Sequence, residues 1–517
     1  MQPQKSFYVT DILQRRADLS PERIALTCTI TGRDITYAQW NQQAMQTANF
    51  LHALGIGKGD RVAVYATNSV EYLDVWMACG KIGAILQNLN WRLTPAELQV
   101  LIQDAAPKAL IYSGDFADAV DDMRPHLGSV QHFIAFDDAM QIGDKPFAAR
   151  EDHHADHLHV QMTLQPDDPW VICYTGGTTG LPKGAILTHA NMTWNATNTV
   201  MSWGLDQTDV AILNAPLFHT GGLNVFTLPL IHIGGRSIVC KTFDVDQVFD
   251  LATNGGVTVF FGVPTMFVMM QGHPRWSEAD FSRLKIVISG GAPCPLPVFE
   301  KFWAKDVDFK TGYGLTEAGP NTFWLPPADV RRKPGAVGKP LLHVDVDVID
   351  ENGQTCATNE PGELVIRGPH VTPGYWNNPD ATHKAIVNGW LHTGDLAICD
   401  DEGYYTIVGR LKDMIISGGE NIYPAEIESV MHAHDRVAEA ALIGIPDEKW
   451  GEVGLAVVVV KAGQALSDDD LVAFLSERLA RYKVPRQVVF TDALPKTGPG
   501  KIDKKALIEQ YSKATSL

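Results

Sequence analysis

Seven cysteines in 517 residues, none in a C-x-x-C pair, supply neither a zinc signature nor a disulfide framework. Cys28, Cys79, Cys173, Cys240, Cys294, Cys356 and Cys399 are scattered along the chain, an odd set that fits a reducing compartment. Positive charge is also scarce. Only 42 Lys and Arg stand against 60 Asp and Glu, for a net charge of −18. A general nucleic-acid binder needs a basic face, so no nucleic-acid partner is expected. Uninterrupted apolar runs are missing as well. Residues 210–235 and 255–272 carry no Asp, Glu, Lys or Arg, but Pro216, Gly221, Gly222, Asn224 and Pro229 break the first, and Gly262 and Pro264 the second. A spanning helix needs about 20 mostly apolar residues without such breaks. Both stretches therefore read as buried strands and pocket walls, and no transmembrane segment is expected. Residues 1–19 lack an apolar h-region and read as an amphipathic helix, so no secretion signal is expected and the chain is placed in the cytoplasm.

What is present is an alternation of helix and strand. A hairpin at residues 23–36 feeds a helix at 37–54, followed by a strand at 61–65, a helix at 70–81, a strand at 82–86, a helix at 94–104 and a strand at 108–112. Such alternation predicts βαβ units and a largely parallel, covered sheet. It resumes from Trp170 to about Lys310. Residues 335–407 are rich in glycine and strand-forming residues and predict a smaller β-rich subdomain. The last hundred or so residues, with a helix at 426–434, a strand at 454–460 and a helix at 467–481, predict a small α+β domain. Residues 151–165, EDHHADHLHVQMTLQ, interrupt the pattern. His153 and His157 stand at i, i+4 with His154 and His159 nearby, which admits a metal site. A solvated connection is the plainer reading, because no second ligand group at a known spacing supports the metal.

The stretch around which the chain is organised is 174–185, YTGGTTGLPKGA, following the apolar run Trp170 to Cys173. Gly176, Gly177 and Gly180 let a backbone wrap closely round an anion with several N–H groups pointing inward. Thr175, Thr178 and Thr179 add hydroxyl donors, and Lys183 adds a point charge suited to phosphate. The common P-loop is excluded, since no Gly-Lys-Ser/Thr follows at the required spacing. A triphosphate is the first expectation, and a mobile glycine-rich turn the bland one. Further on, Tyr313-Gly314-Leu315-Thr316-Glu317 offers a hydroxyl for phosphate and a carboxylate for magnesium, which takes few carboxylates when bound to a nucleotide. Asp395, just past Gly394, suits a pair of ribose hydroxyls. Arg410 beside Gly409 suits ribose or phosphate. Residues 495–501, PKTGPGK, present Lys501 on a glycine-proline loop. Taken singly, each of these is equally a surface turn or a solvated charge.

In this order and spacing, YTGGTTGLPKG, YGLTE, HTGD, GRLKDMIISGGENIYPAEIE and PKTGPGKIDKK resemble the adenylate-forming superfamily, which includes acyl-CoA synthetases, adenylation domains of peptide synthetases and luciferases. The resemblance covers essentially the whole chain. It implies an α/β fold: a large N-terminal domain of two α/β subdomains plus a β-barrel-like subdomain (residues 1–411), and a small mobile α+β C-terminal domain (412–517). By position, 175–183 would hold the β- and γ-phosphates of ATP, Thr316 would contact the α-phosphate and Glu317 would ligate Mg2+. Asp395 would hold the ribose and Arg410 the nucleotide. Gly290, Gly291, Ala292 and Pro293 would form the adenine-side loop, with Tyr313 and Gly314 flanking the base. Lys501 would serve adenylation, and Lys412 stands where the family hinges. Gly418 and Gly419 match the loop that meets the pantetheine arm of CoA, and Trp450 resembles an aromatic at the CoA entrance. Glycine at 176, where many members have serine, removes one hydroxyl and keeps the backbone nest.

The implied reaction makes an acyl-adenylate from a carboxylic acid and ATP with release of pyrophosphate, then passes the acyl group to the thiol of CoA. Residues 216–224, 260–266 and 290–292 would line the acid pocket. They are apolar, aromatic and small, with no Asp awaiting an amino group, so a medium or long fatty acid or an aryl or polycyclic acid is expected. His219 would flank the carboxylate; a histidine satisfied within the core is the competing reading. Loading of a carrier-protein phosphopantetheine and a non-catalytic acyl or nucleotide sensor remain as alternatives, and the family leaves a homodimer open.

Overall fold

Apolar, β-branched runs bounded by turn residues become the inner strands of two parallel sheets, as their patterning requires. The computed structural model describes residues 9–159, 163–175, 182–417, 420–447, 449–497 and 501–511. In the first sheet the strands run in the order Lys145–Pro146, His132–Ala135, Ala109–Tyr112, Arg61–Tyr65, Ile85–Asn88, Pro169–Thr175 and Lys183–Thr188. Every pairing is parallel except the last, where Pro169–Thr175 and Lys183–Thr188 run antiparallel. The second sheet runs Phe309–Thr311, Ile286–Ser289, Val259–Gly262, Val210–Leu213, Arg236–Val239, Ile24–Cys28 and Asp34–Thr36. The N-terminal hairpin thus completes the second sheet, although the helix after it serves the first.

That helix, Tyr37–Ala53, begins at a Thr36–Gln39 capping box, and Val70–Ile82 begins at Ser69. Such caps satisfy N–H groups that the first turn leaves unpaired. Both helices are buried in one core with strands of both sheets, including Trp40, Tyr72, Trp76, Leu213 and Val239. Trp170 stacks on Trp76 at 5.5 Å and on His189 at 4.8 Å. A Cβ at Gly80 would lie 2.7 Å from the Trp170 ring, so the helix approaches the strand this closely only with glycine there.

A five-stranded antiparallel sheet follows: Asp345–Ile349, Gly362–Arg367, Trp390–Cys399 with Ile386–Val387, and Tyr405–Arg410. The C-terminal unit has its own sheet of Glu420–Ile422, Ile415–Ser417, Gly451–Val460, Val437–Asp447 and Gln487–Phe490. Period-two alternation along Val437–Asp447 gives that sheet two cores. Ala440 and Leu442 join Ile427, Met431, Leu471 and Leu475, while Ala441, Ile443 and Ile445 join Leu494 and Leu507. The architecture is α/β with a large N-terminal part and a small C-terminal one.

Some local expectations are corrected. Residues 210–235 hold only one strand, Val210–Leu213, followed by short helices Thr220–Asn224 and Thr227–Ile233, because buried apolar helices lack the period that would distinguish them. The strand expected at 82–86 begins at Ile85, after the helix runs on to Ile82 and turns at left-handed Gly83. The helix expected at 467–481 is Asp468–Ser476. Among the described residues no helix is long and apolar enough to cross a membrane.

Candidate active site

The two strands that flank the glycine-rich loop fix its ends. Thr175 and Lys183 face each other in the antiparallel register. Gly176, Gly177, Thr178, Thr179 and Gly180 lie outside the described residues. Beside those ends, a short helical turn, Thr316–Ala318, holds the buried Glu317. Its Oε1 accepts hydrogen bonds from the Tyr375 hydroxyl at 2.9 Å and the Thr175 hydroxyl at 3.4 Å. Lys183 Nζ stands 5.2 Å from the centre of the Tyr375 ring. A buried carboxylate among oxygen donors is the ligand type that a hard cation such as Mg2+ prefers.

The same loop reaches a second group. Gly312 continues the strand end, where its N–H donates to Ser289 O at 2.7 Å, and Tyr313 then donates its hydroxyl to Asp395 Oδ2 at 2.6 Å. Burial and the Asp395 carboxylate push the Tyr313 phenol well above its ordinary range, so it stays a donor. Asp395 and Arg410 are register partners on adjacent antiparallel strands, and Arg410 Nε meets Asp395 Oδ1 at 2.9 Å. The loop returns sharply: a Cβ at Gly314 would stand 2.2 Å from Pro320 O, and only glycine fits.

Lys501 comes to this group from the C-terminal unit. Its turn is closed by Thr497 N–H donating to Lys501 O at 2.7 Å and by a bridge between Lys496 and Ile502. Burial lowers the Lys501 pKa most, Arg410 and Lys412 lower it further, and Asp395 opposes them. Water nevertheless reaches the side chain. Lys501 is therefore not packed into a core.

His219 has the same character. It caps the helix Thr220–Asn224, its Nδ1 accepting the Gly221 N–H at 3.1 Å, which leaves the ring proton on Nε2. Burial first, then Lys501 and Arg92, push its pKa down to about 4, so the ring is neutral at pH 7. His219 is itself exposed, although the residues on either side of it, Phe218 and Thr220, are buried. Phe261 lies between glycines: a Cβ at Gly290 would be 3.0 Å from its ring and one at Gly221 3.2 Å. Gly291, in the left-handed region at φ +80°, turns the chain toward Ala292 and Pro293 after the strand Ile286–Ser289.

Two residues escaped the sequence reading. Tyr375, on the Glu317 carboxylate, follows Pro373 and Gly374, and an aromatic in a proline-glycine turn was its only signal. Arg92 follows Trp91 in a loop, with its guanidinium 4.7 Å from the Trp91 ring centre and 5.7 Å from that of Phe218. Trp450 stays within the C-terminal unit, its ring 5.4 Å from Arg486 and 5.1 Å from Lys449. Gly418 and Gly419 lie outside the described residues.

A glycine-rich loop between antiparallel strands, a carboxylate beside it, an Asp–Arg–Tyr group and a lysine from a separate unit define a nucleotide-handling class. Residues 13–376 match the AMP-binding enzyme family and residues 426–501 the AMP-binding enzyme C-terminal domain; the chain belongs to that family. Among its relatives, a feruloyl-CoA synthase of Amycolatopsis sp is 40% identical over 490 residues, covering 95% of this chain and 96% of that protein. A long-chain-fatty-acid–CoA ligase of Mycobacterium tuberculosis is 37% identical over 504 residues, covering 97% and 98%. The solved structure of an anthranilate CoA ligase in complex with anthranoyl-AMP superposes with a TM-score of 0.91 at 26% identity, covering 99% of this chain and 98% of that one.

Proposed function

We propose that this chain is an AMP-forming acid:CoA ligase. Its substrate would be a hydrophobic carboxylic acid, either aryl or of medium to long chain. The observation that carries the reading is the convergence of Lys501 with Asp395 and Arg410 while Tyr313 and Glu317, on one loop, tie that group to the ends of the glycine-rich loop. The relatives act on aryl and long-chain fatty acids, which supports the substrate class.

In this reading Asp395 releases one of its partners to hold the ribose hydroxyls, and Arg410 keeps the nucleotide in place. Thr175, Lys183 and the glycine-rich loop hold the leaving pyrophosphate, with Thr316 at the α-phosphate. Glu317 holds Mg2+, which when bound neutralises phosphate charge. Lys501 brings a positive charge to the oxygens that gain charge as the carboxylate attacks phosphorus, and such fixed charge contributes most in a site shielded from water. His219, a neutral donor through Nε2, orients the incoming carboxylate. Phe261, between Gly221 and Gly290, forms the floor of the acid pocket.

The domain division is proposed at 411/412, in the helical turn Leu411–Asp413 that joins the strand Tyr405–Arg410 to the C-terminal sheet. Rotation there would withdraw Lys501 and bring Gly418 and Gly419 to the CoA arm; Trp450 would line its entrance. All seven cysteines are free, which suits a cytoplasmic setting. The test is pyrophosphate release with ATP and Mg2+ over acids of graded length and aromaticity, followed by mass detection of acyl-CoA after CoA is added. Release without acyl-CoA, but with acylation of a phosphopantetheinylated carrier, would move the acceptor to a carrier protein. No release with any acid would sink the ligase reading in favour of a sensor.

A further inference from the structure

The histidine-rich connection at 151–159 does not form the helix that would pair His153 with His157. His153 turns instead to the Phe50 ring, 5.7 Å away. The other three converge: the ring centres of His154 and His157 are 4.9 Å apart, His154 and His159 5.0 Å, and His157 and His159 5.5 Å. Three imidazoles bound at about 2.05 Å round a tetrahedral ion hold their ring centres about 5.2 Å apart. Asp156 stands with two of them: one ligand atom from each of His154, Asp156 and His157 lies within 4.8 Å of the others. Asp156 Oδ1 is 2.8 Å from His157 Nδ1, an arrangement that fixes the tautomer and leaves Nε2 for a metal.

This convergence is built from below. Asn49, 1% exposed on the helix Tyr37–Ala53, donates through Nδ2 to the carbonyls of His154 and His157, each at 2.8 Å, and accepts the His159 N–H at 3.0 Å. One buried amide therefore spends all three of these bonds on the backbone of the three clustered histidines. The turn before them is held by Arg150, which pairs with the fully buried Asp74 and bonds Thr47. By contrast, two of the acidic triplet Asp400, Asp401 and Glu402 are already paired, Asp400 with Lys333 and Glu402 with Lys333 and Arg332.

We propose that His154, His157 and His159, with Asp156 beside them, form a surface site for a divalent transition ion of the imidazole-preferring kind, such as Zn2+. Bound there, the ion would tie together the connection that leads to the strand Pro169–Thr175. Rotation of exposed side chains between staggered rotamers completes the ligand set at small cost.

The test uses the full-length, chelator-treated protein without nucleotide, titrated with Co2+ and Zn2+. The expected result is one ion per chain, with the visible band of tetrahedral, nitrogen-ligated cobalt, displaced by Zn2+. An oxygen-ligated site at Glu317 does not give that band. His154→Gln with His157→Gln abolishes it. Asp156→Asn and Asn49→Ala weaken binding by about tenfold or more, as losses of supporting partners do. Saturating Zn2+ raises the melting temperature of the wild type and not of the double variant. Absence of the band, or its persistence in the exposed-surface double variant, overturns the proposal; that variant alters no buried group, so it folds.

Discussion

The two sides of the candidate site are built differently. One side, Thr175, Lys183, Glu317 and Tyr375, belongs to the N-terminal part, and its carboxylate is buried and held by two hydroxyls. The other side, Asp395, Arg410 and Lys501, is a chain of charges in which the last member comes from the C-terminal unit and stays in contact with water. Cross-braced groups cost little reorganisation when charge develops beside them, whereas a lysine on a separable unit can leave. On the proposed reading, the first side would keep the permanent tasks, cation and phosphate binding, and the second the task specific to one step.

The largest expected effect tests that division directly. Lys501→Ala loses adenylate formation by about a hundred- to a thousand-fold, read as pyrophosphate release, while thioester formation from a supplied acyl-adenylate is largely kept. Equal loss of both half-reactions would break the comparison. Lys412→Pro acts on the joint instead: proline disfavours the helical conformation at Leu411. It slows thioester formation about tenfold or more while pyrophosphate release stays near wild type; normal thioesterification would remove the pivot. On the braced side, Tyr375→Phe takes one charge-assisted hydrogen bond from Glu317, worth about 1.5 kcal/mol. Activity at limiting Mg2+ then falls about tenfold, partly recovered at high Mg2+; an unchanged Mg2+ dependence would show that Tyr375 merely fills space.

The smallest effect concerns the strand that carries the shared loop. Lys310, fully buried, donates to Leu325 O at 2.8 Å and sits 3.6 Å from the Trp324 ring centre. Burial pushes its pKa down to about 7. Between that value and the ordinary lysine value the unfolded chain binds the extra proton, so stability rises with pH across this window; below it both states are protonated and the penalty is fully present. The wild-type melting temperature should therefore climb from pH 7 to 9 relative to that of Lys310→Met. Parallel curves would show that the amine keeps its charge in the fold.

The strongly patterned elements were legible from the chain. Strand Arg61–Tyr65 falls where alternation put it, and helices Tyr37–Ala53 and Val70–Ile82 lie within a residue of their expected ends. The wholly apolar 210–235 stretch was not, because a helix buried on all sides carries no amphipathic period. In the site, Glu317, Asp395, Arg410 and Lys501 stood out because their neighbours form motifs. Tyr375 has no motif, and its place appears only when the turn after the strand Gly362–Arg367 folds back onto Lys183 and Glu317. The histidines show the opposite failure: helical spacing coupled His153 to His157, whereas a turn pinned by the distant Asn49 chose His154, His157 and His159.

Lys501 and Asp395, which feel each other's charge, stand far apart in sequence, and this orders events during synthesis. At roughly 5–20 residues per second, about 5 to 20 seconds separate the emergence of the two residues from the ribosome. During that interval the parts built around the two parallel sheets already possess Thr175, Lys183 and Glu317, but not the amine of Lys501. On the proposed reading, an unfinished chain would carry its phosphate-side residues without the lysine of the adenylation step, and would be no source of reactive acyl-adenylate.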